Sequence, residues 1–570
     1  MKKNLILYIL LWLCKFGYGQ NALYIPPSIT GSSFNLNIQN GNTQFYSNIN
    51  TPTFGINSNI LAPTLIVNKW DIDTFNVTNS LTGFGNSTTI HWHGLHVPAK
   101  ADGGPHQIIL QGTTWSPIFQ ILNSAGTFWY HPHGNNKTDL HVSKGIAGMI
   151  IVKDSIESAI LLPRKYGIDD FPLIVQTKSF DILNQIAIST EEDTSVMVNG
   201  TVNPYLYVPS QVIRLRLLNG NSMRSFNFGF SNNYPFKMIA SDGGLLNSAI
   251  PLTRLRLAPG ERAEILLDLQ SIQGDTIYLK SFSSELPNGI YGAATVTGMM
   301  GGSIPDYNLN PLNGADYNIL QLIVGMQSIN PVIIMPTFLT PSNFDTSYTI
   351  SRNFVLSPDS LNSAVEQVIG PFNINGSHFD MNTINETVYL NAIEKWRITN
   401  QTGIAHPIHI HDVQFRILNI NGGSVPNYEQ GDKDVVMVMP NQYVEFVSKF
   451  VDFADDSIPY MFHCHLLHHE DDGMMGSFLV KDTTATGNVD LNVQSKVSLF
   501  PNPTKDGFQI IANQTGSISM KIMNGLGEVV IMRDGDIDNA FISLENIPSG
   551  YYILQLRIGK SIISKKIIKY

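Results

Sequence analysis

MFHCHLLHHEDDGMM, residues 461–475, is the stretch around which this chain is organised. It contains four histidines around Cys464 and ends in a methionine pair that begins at Met474. Two imidazoles, a thiolate and a distant thioether form the ligand set of an electron-transfer copper site. Neighbouring side chains of a β-strand point to opposite faces, so His463 and His465 face one way and Cys464 faces the other. The stretch therefore predicts one strand that serves two metal sites.

The composition bounds the fold class and the partners. The chain has 570 residues, which is enough for about three to five domains of about 150 residues each. Only 14% of the residues are charged, and short runs rich in Val, Ile, Phe and Tyr are broken by Gly, Pro and Asn. This pattern predicts an all-β protein. The net charge of −10 argues against nucleic acid or an anionic membrane surface as a partner.

The first 19 residues predict a secretory signal peptide. They combine a basic start with a short apolar run and end at Gly19, near which we expect cleavage. No other run of about 18 apolar residues occurs, so we expect the mature protein to have no integral membrane segment. Cys14 would leave with the signal, so Cys464 becomes the sole thiol and no internal disulfide can form. The flanking histidines favour a metal ligand over a buried inert thiol.

Strand-like runs separated by turns divide the chain into successive β-rich regions. We predict domains at residues 20–153, 154–317 and 318–482, a polar linker at 483–496 and a small β-sandwich at 497–570. The second of these regions contains no histidine, and we expect its arginines to face solvent. That region is therefore predicted to act as a structural spacer.

Three further histidine motifs precede the opening stretch: IHWHG at residues 90–94, HPHG at 131–134 and HPIHIH at 406–411. Strand alternation places both histidines of each HxH pair on one face and gives His406 the opposite parity. The Cys464 side gathers His406, Met474 and, after the strand bends, His469. The other side gathers eight imidazoles, enough for three copper ions: His91, His93, His131, His133, His409, His411, His463 and His465. The remaining histidines are expected to be surface or hydrogen-bonded groups: His96, His106, His141, His378 and His468.

The four motifs HWHG, HPHG, HPIHIH and HCHLLHHEDDGMM resemble those of the multicopper oxidases, and more narrowly the three-domain bacterial laccases and cuprous oxidases. The resemblance covers about residues 35–481 and implies three cupredoxin domains, which are Greek-key β-sandwiches, and four copper ions. It implies a type 1 copper on His406, Cys464, His469 and Met474, and a type 2 copper on His91 and His409. It implies a type 3 pair with His93, His131 and His465 on one copper and His133, His411 and His463 on the other.

The same resemblance implies a reaction between dioxygen and a small reducing substrate. Electrons would enter at the type 1 copper and pass through Cys464 to its histidine neighbours, and four transfers would reduce dioxygen to two waters. Asp102 and Glu470 match the family's proton-relay acids. Asp102 could instead be a turn residue, because Asp-Gly is a turn signal.

Departures from the family pattern bear on the substrate. Cuprous oxidases of this group carry an Asp and a Met shortly before the HPxHxH motif, where this chain has Thr402 and Ile404. Their Met-rich insertion corresponds here to a Gly- and Asn-rich stretch with only Met299 and Met300. Thioethers suit a Cu(I) substrate, so the sequence favours phenols or aromatic amines. A metallo-oxidase acting on Cu(I), Mn(II) or Fe(II), and a non-catalytic copper-binding or structural cupredoxin protein, stay open.

The C-terminal sequences FPNPTKDGF, NGLGEVV and SGYYILQLRIGKSIISKKIIKY resemble the C-terminal sorting domain of the type IX secretion system. The resemblance covers about residues 497–570. It implies that the type IX machinery is a partner and that the protein passes through the periplasm to become secreted or attached to the cell surface. A plain adhesive β-domain is the alternative.

Overall fold

The computed structural model describes residues 20–570 apart from 84–85, 189–191, 299–301, 303, 305–306, 342–343, 360–366, 483–497, 512–517, 526, 536–540 and 559–560. The predicted signal peptide, the predicted linker and the pair Met299 and Met300 lie outside the described residues. The chain divides into a main unit that ends at Lys481 and a tail unit that starts at Asp482. Strands dominate both units, so the predicted all-β class is confirmed.

The first β-sandwich packs two sheets around Phe34, Phe75, Trp92 and Phe128. One sheet orders the strands Ser28–Thr30, Thr64–Asn68, Gly148–Lys153 and Gly126–Tyr130. The other orders Ile49–Ile56, Ser33–Tyr46, Ile72–Asn79 and Thr114–Trp115, with Ile118–Gln120 also paired to Ile72–Asn79. The long strand Ser33–Tyr46 alternates buried and exposed side chains, as expected for a sheet with one solvated face.

The second sandwich is built around a strand, Val212–Asn219, that is buried on both faces. Its sheet orders Thr201–Val202, Ser195–Val198, Asp170–Phe180, Val212–Asn219, Arg262–Asp268, Phe236–Ser241 and Gly244–Leu252, with Ile186–Ala187 paired to Asp170–Phe180. The facing sheet orders Asn21–Ala22, Pro204–Pro209, Asp316–Gly325, Thr276–Phe282, Phe226–Phe230 and Leu255–Leu257.

This pairing corrects two predicted domain boundaries. Asn21–Ala22, expected in the first domain, runs parallel to Pro204 and Tyr205 of the second sandwich. The boundary predicted between residues 317 and 318 falls inside the strand Asp316–Gly325, which pairs with strands on both sides within the second sandwich. The apolar residues of that strand join the core of the second sandwich, so burial rather than the preceding Gly- and Asn-rich composition decides where it belongs.

The prediction that the arginines of this region face solvent is wrong for several of them. Arg214, Arg216 and Arg262 are buried, with exposed fractions of 1%, 3% and 0%. Arg216 pairs with Asp170 and also donates to the Thr127 hydroxyl of the first sandwich at 2.9 Å. The first sandwich therefore covers a face that local alternation assigned to solvent, and each buried charge has a carboxylate partner.

The third sandwich begins at Ile350 and carries the opening motif. One sheet orders Phe372–Ile374, Ile350–Pro358, Ile393–Asn400, Tyr443–Lys449 and Phe415–Ile420. The other orders Glu386–Tyr389, Met475–Lys481, Tyr460–Cys464, His406–Ile410 and Val435–Val438. Trp396 lies at the centre of its core and is completely buried.

Helices are short and few among the described residues. They are the α-helices Thr138–Lys144, Ser155–Ala159 and Leu467–Asp471 and the 3-10 helices Ala99–Ala101, Ser231–Asn233, Ser283–Glu285, Tyr307–Leu309 and Asn427–Glu429. Within the described part of the chain, none of them has the length and apolar character that a membrane crossing needs.

The tail unit is a small two-sheet structure of its own. Its sheets order Ser498–Phe500, Gly507–Ile511 and Phe541–Ser543, and Val529–Gly535, Ile518–Met523, Gly550–Ile558 and Ser561–Lys569. Phe508, Ile522, Leu554 and Ile567 are buried in a separate core. A core of its own agrees with the prediction of an independent β-domain.

Candidate metal centres

The strand Tyr460–Cys464 joins two clusters of potential ligands. It lies between His406–Ile410 and Met475–Lys481, and the antiparallel register sets Cys464 opposite Ile408 and His463 opposite His409. His463 and His409 therefore share a face, as strand alternation requires. His465 follows the end of the strand, and its backbone N–H donates to the Pro407 carbonyl at 2.7 Å.

The first cluster surrounds the Cys464 sulfur. His406 Nδ1 lies 3.4 Å and His469 Nδ1 lies 3.6 Å from Sγ, and the two Nδ1 atoms are 3.3 Å apart. Met474 is fully buried in the same apolar core, and its carbonyl accepts the Cys464 backbone N–H at 3.0 Å. The structure thus brings together His406, Cys464 and His469, with the backbone of Met474 beside them.

Both imidazoles of this cluster are held by their outer nitrogens. His406 Nε2 lies 2.8 Å from the Thr402 hydroxyl, and His469 Nε2 lies 2.8 Å from the Val368 carbonyl. The ring of Phe372 packs against both imidazoles at centroid distances of 4.9 and 4.7 Å. These contacts orient the two Nδ1 atoms toward the sulfur, as the hydrogen-bond partners of metal-binding histidines do.

The second cluster contains all eight of the remaining predicted histidine ligands, each at most 1% exposed. His91 Nε2 faces His409 Nε2 at 3.5 Å. Three further nitrogens converge at His93, with its Nδ1 3.3 Å from the Nε2 atoms of both His131 and His465. A third group meets at His463, whose Nε2 lies 3.1 Å from His133 Nε2 and 3.3 Å from His411 Nε2. The structure thus brings together the residues predicted for the type 2 and type 3 coppers, and His411 also lies close to His91 and His409.

Burial favours the neutral form at most of these imidazoles. It is the largest cause of a lowered pKa at seven histidines of this cluster, and for most of them the neighbouring imidazoles contribute next. Burial also lowers the pKa of His469 to about 3 and raises the pKa of the Cys464 thiol. Converging neutral nitrogens with lone pairs and a buried sulfur suit a borderline or soft cation, so the donor set fits copper.

Two predicted acids lie directly behind the second cluster. Asp102 Oδ2 is 2.8 Å from His411 Nδ1, and its Oδ1 is 3.3 Å from His91 Nδ1. Glu470 lies 3.4 Å from His133 Nδ1 and 3.3 Å from His463 Nδ1. Asp102 is thus more than a turn residue, because its carboxylate binds His411 and its backbone carbonyl lies 3.0 Å from His91 Nδ1, so it contacts histidines from different sandwiches.

Glu470 is held in a setting that favours its protonated form. Its Oε1 accepts the Thr138 hydroxyl at 2.6 Å, and the side chain is buried. Burial, followed by the neighbouring Asp471 carboxylate, raises the pKa of Glu470 well above its ordinary value. A carboxyl group whose pKa is raised in this way can serve as a proton donor.

Sequence reasoning missed Asp434 and Arg262. Asp434 Oδ1 lies 3.2 Å from His93 Nε2, and the Asp434 carbonyl lies 2.8 Å from His409 Nδ1. Arg262 binds both carboxylate oxygens of Asp434. No motif marks either residue, and the histidine-free second region, which contains Arg262, was predicted to act as a structural spacer.

The five histidines outside the predicted ligand sets are engaged elsewhere. His96 lies between Asp412 and Asp452, at 2.7 and 3.1 Å. His141 Nδ1 lies 3.1 Å from the Thr88 hydroxyl, and His106 Nε2 lies 3.1 Å from the Met381 carbonyl. His378 Nε2 lies 2.7 Å from Asp359, and His468 Nε2 lies 3.6 Å from Asp472. None of the five belongs to either cluster.

Comparison with known proteins agrees with this geometry. Family models described as multicopper oxidase match residues 37–157 and 349–484. A multicopper oxidase of Staphylococcus haemolyticus is 34% identical over 457 residues, which cover 79% of this chain and 88% of that protein. The chain belongs to the multicopper oxidase family. It is an oxidoreductase of this kind, with cupredoxin-type domains, and its family implies copper as the metal.

Two further relatives of this multicopper oxidase broaden the comparison. The crystal structure of a laccase-like multicopper oxidase from Ochrobactrum sp. superposes with a TM-score of 0.70 at 30% identity, covering 80% of this chain and 100% of that one. The cell division protein FtsP of Dickeya dadantii is 29% identical over 474 residues, 81% of this chain and 93% of that protein.

The tail matches a different family. Residues 498–570 match a secretion system C-terminal sorting domain, which confirms the predicted identity of the tail. A sorting domain of this kind indicates a secreted or cell-surface protein and implies the type IX secretion system as a partner.

Proposed function

We propose that the chain is a secreted, laccase-like oxidase that takes electrons from phenolic or aromatic amine substrates and reduces dioxygen to two waters. The observation that carries this proposal is the grouping of the eleven predicted His and Cys ligands into buried sets on either side of one strand. A non-catalytic cupredoxin protein has no need for two clusters linked in this way.

The proposed ligands follow the observed groups. The type 1 set is His406, Cys464 and His469, with Met474 added from the family pattern; the type 2 set is His91 and His409; the type 3 sets are His93, His131 and His465, and His133, His411 and His463. When bound, four copper ions would supply one-electron acceptance from the reductant and multi-electron reduction of dioxygen.

The chain itself provides the electron path. Cys464 is covalently joined to His463 and His465, one residue to each side, and its carbonyl lies 3.0 Å from His463 Nδ1. Covalent bonds and one hydrogen bond therefore link the sulfur to both type 3 sets. The complete burial of Cys464 excludes water from this link.

Protons are handled by Glu470 and Asp102. Water formation consumes protons, and Glu470 can hold one within reach of His133 and His463. Asp102 lies between His91 and His411 and so borders the type 2 and type 3 sets. The two acids approach the cluster from different sides, which supports separate delivery points.

The reductant is proposed to donate electrons through His469 and the Val368 carbonyl beside it; Val368 is itself fully buried. His469 is fully buried and its outer nitrogen lies against the Val368 carbonyl, so electrons would cross this contact rather than a directly bound ligand. Such an entry suits small organic donors that lose one electron without binding a metal. The related Ochrobactrum sp. protein is described as active towards lignin model compounds and lignosulfonate, which supports an organic reductant.

The decisive experiment is copper analysis of the purified protein together with its visible and electron paramagnetic resonance spectra. We expect about four coppers per chain, a strong blue absorption from the Cys464 site and two paramagnetic copper signals. One dioxygen should be consumed for about every four electrons taken from a phenol. Zinc in place of copper, or a single copper per chain, would refute the proposal.

The metallo-oxidase alternative concerns only the reductant. Competition kinetics between a phenol and Cu(I), Mn(II) or Fe(II) separates the two possibilities in the same holoprotein. We expect the phenol to be oxidised without added metal. A large preference for one metal ion, or phenol turnover only after Cu(II) is added, would favour the alternative.

A non-catalytic role has one observation in its favour, the similarity to FtsP, which is named for cell division. Dioxygen uptake by fully metallated protein distinguishes the two roles. We expect uptake with an organic reductant, whereas its absence with every reductant tested would favour the structural role.

A further inference from the structure

One buried arginine of the second sandwich reaches the proposed copper cluster. Arg262 is completely buried, and its two terminal nitrogens lie 2.5 and 2.6 Å from the two carboxylate oxygens of Asp434 in the third sandwich. Its Nε also donates to the Thr127 carbonyl of the first sandwich at 3.2 Å. A bidentate pair of this kind fixes the carboxylate in orientation as well as position.

Asp434 in turn holds two of the proposed ligands. Its Oδ1 lies 3.2 Å from His93 Nε2, and its backbone carbonyl lies 2.8 Å from His409 Nδ1. A single residue thereby contacts one ligand of the type 3 pair and one ligand of the type 2 site. Displacement of Asp434 would disturb both.

His93 depends on this contact more than the other histidines do. The other seven converge on their neighbours through Nε2, whereas His93 presents Nδ1 to His131 and His465. An imidazole offers Nδ1 to a metal only when its proton resides on Nε2. The Asp434 carboxylate accepts a hydrogen bond from the Nε2–H of His93. This stabilises the tautomer that leaves Nδ1 free to bind a metal.

The surrounding packing leaves the carboxylate little freedom. A Cβ on Gly94, which has a φ of +83°, would lie 2.4 Å from Asp434 Oδ2 and 2.7 Å from an Arg262 nitrogen. One residue earlier in each segment, Lys433 pairs with Glu261 at 2.7 Å. Two adjacent ion pairs thus join the second and third sandwiches, and only the Arg262 pair contacts proposed ligands.

We propose that Arg262 and Asp434 are positioning residues that hold His93 with Nδ1 toward the type 3 site. Through Arg262, the second sandwich then helps to set the geometry of the copper cluster that reduces dioxygen. Neither residue needs to touch dioxygen or the reductant. The second sandwich therefore helps to position a copper ligand and is not only a structural spacer. This inference rests on the proposed function, because it assigns a role within that metal centre.

Asp434→Asn and Arg262→Lys test the proposal in the full-length copper-loaded protein. In the first, the amide would turn its oxygen to Arg262 and its NH₂ group to His93, which favours the wrong tautomer. In the second, the positive charge stays but the two-pronged contact is lost. We expect the blue absorption to persist while the magnetically coupled copper pair is lost or becomes paramagnetic, with copper affinity reduced by about 10- to 100-fold.

Arg256→Lys is the matched control. Arg256 also joins the second sandwich to the third, pairing with Glu429 at 3.2 Å, but neither residue contacts a proposed ligand. We expect its copper content and magnetic spectrum to match the wild type. Melting temperatures of the metal-free proteins show how far each substitution loosens the interface.

The outcomes separate the two claims. If both Asp434→Asn and Arg262→Lys keep a normal coupled pair and copper affinity, the positioning role is refuted while the proposed function stands. A spectrum altered equally by Arg256→Lys would also refute it, because interface loosening would then explain the effect. If the wild type itself binds no copper, the proposed function fails first. Should Asp434→Asn not fold, Arg262→Lys alone decides.

Discussion

Cys464 is the residue on which the function depends most, because its side chain and its backbone belong to different centres. The sulfur lies between two imidazoles, and the peptide bonds on either side lead to His463 and His465. Burial raises the pKa of the free thiol, so a bound cation is needed to stabilise the thiolate in this setting.

Cys464→Ser should remove the electron entry site while sparing the histidine cluster. A serine hydroxyl is a poor ligand for copper, so we expect copper to fall from about four to about three per chain. The blue absorption and phenol turnover should disappear. Copper analysis and visible spectra measure this, and retention of normal oxidase activity would contradict the assignment.

Glu470→Gln should slow dioxygen reduction without emptying the site. The amide keeps the shape of the side chain but cannot release a proton, so we expect turnover to fall by about 100-fold. Copper content and the blue absorption should stay unchanged. Asp472→Asn, on the exposed end of the same helix, is the control and should retain wild-type turnover. Equal rates for all three proteins would argue against a role in proton transfer.

At the scale of elements, the turn that follows the 3-10 helix Ala99–Ala101 positions Asp102. Gly103 adopts a φ of +82°, and a Cβ there would lie 1.7 Å from the Ile90 carbonyl, next to His91. The close approach of these two segments brings the Asp102 carboxylate between His91 and His411. Glycine is required at position 103 because a side chain would clash with the Ile90 carbonyl and because the backbone has a positive φ.

Gly103→Ala and Gly112→Ala separate these two requirements. Gly112 also has a positive φ, +75°, but a Cβ at this position would have no heavy atom of the described residues within 4 Å. Gly112→Ala should therefore cost only the conformational strain of about 1 kcal/mol. We expect Gly103→Ala to lower the melting temperature further and to reduce copper binding. Similar melting temperatures and copper contents in both variants would show that the turn tolerates displacement.

At the scale of the main unit, buried charges connect the three sandwiches. Arg216 reaches Thr127, Arg262 reaches Asp434, and His96 of the first sandwich lies between Asp412 and Asp452 of the third. Burial by itself would lower the pKa of His96, but the Asp412 and Asp452 carboxylates outweigh it and raise the pKa to about 9.

The His96 pair should make stability depend on pH. Because the folded pKa lies above the unfolded value of 6.5, the stabilisation is complete below about pH 6.5 and is lost as the pH rises through about 9. The shift corresponds to about 3 kcal/mol. We expect His96→Gln to lower the melting temperature at pH 6 but hardly at pH 10. His106→Gln is the control, and an equal effect of His96→Gln at both pH values would contradict the ion pair.

The tail unit should be separable from catalysis. The main unit ends at Lys481, and the sorting-domain match begins at residue 498. We expect a variant that ends at Lys481 to bind copper and oxidise phenols at the wild-type rate but to stay inside the producing cell envelope. Activity assays and fractionation of the culture measure this. Loss of copper binding on truncation, or export without the tail, would contradict the separation.

The candidate ligands could be predicted from the sequence because the relevant information is local. Alternation along a strand separates His463 from Cys464, as predicted. The pairs His91/His93 and His131/His133 lie outside strands, so for them only the motif, not the strand geometry, was predictive. The structure brings these residues into the expected groups. The sorting domain could also be predicted from the sequence, because its motifs lie within one small domain.

The features that only the tertiary structure decided are contacts between residues far apart in the chain. Arg262 and Asp434 are separated by 172 positions, and the strand Asp316–Gly325 pairs on one side with Pro204–Pro209, more than 100 residues earlier. The arginines of the strand Val212–Asn219 are buried because the first sandwich covers a face that alternation alone leaves open. Strand alternation and ligand chemistry act within a few residues, whereas burial and ion pairing depend on which surfaces meet when the chain folds.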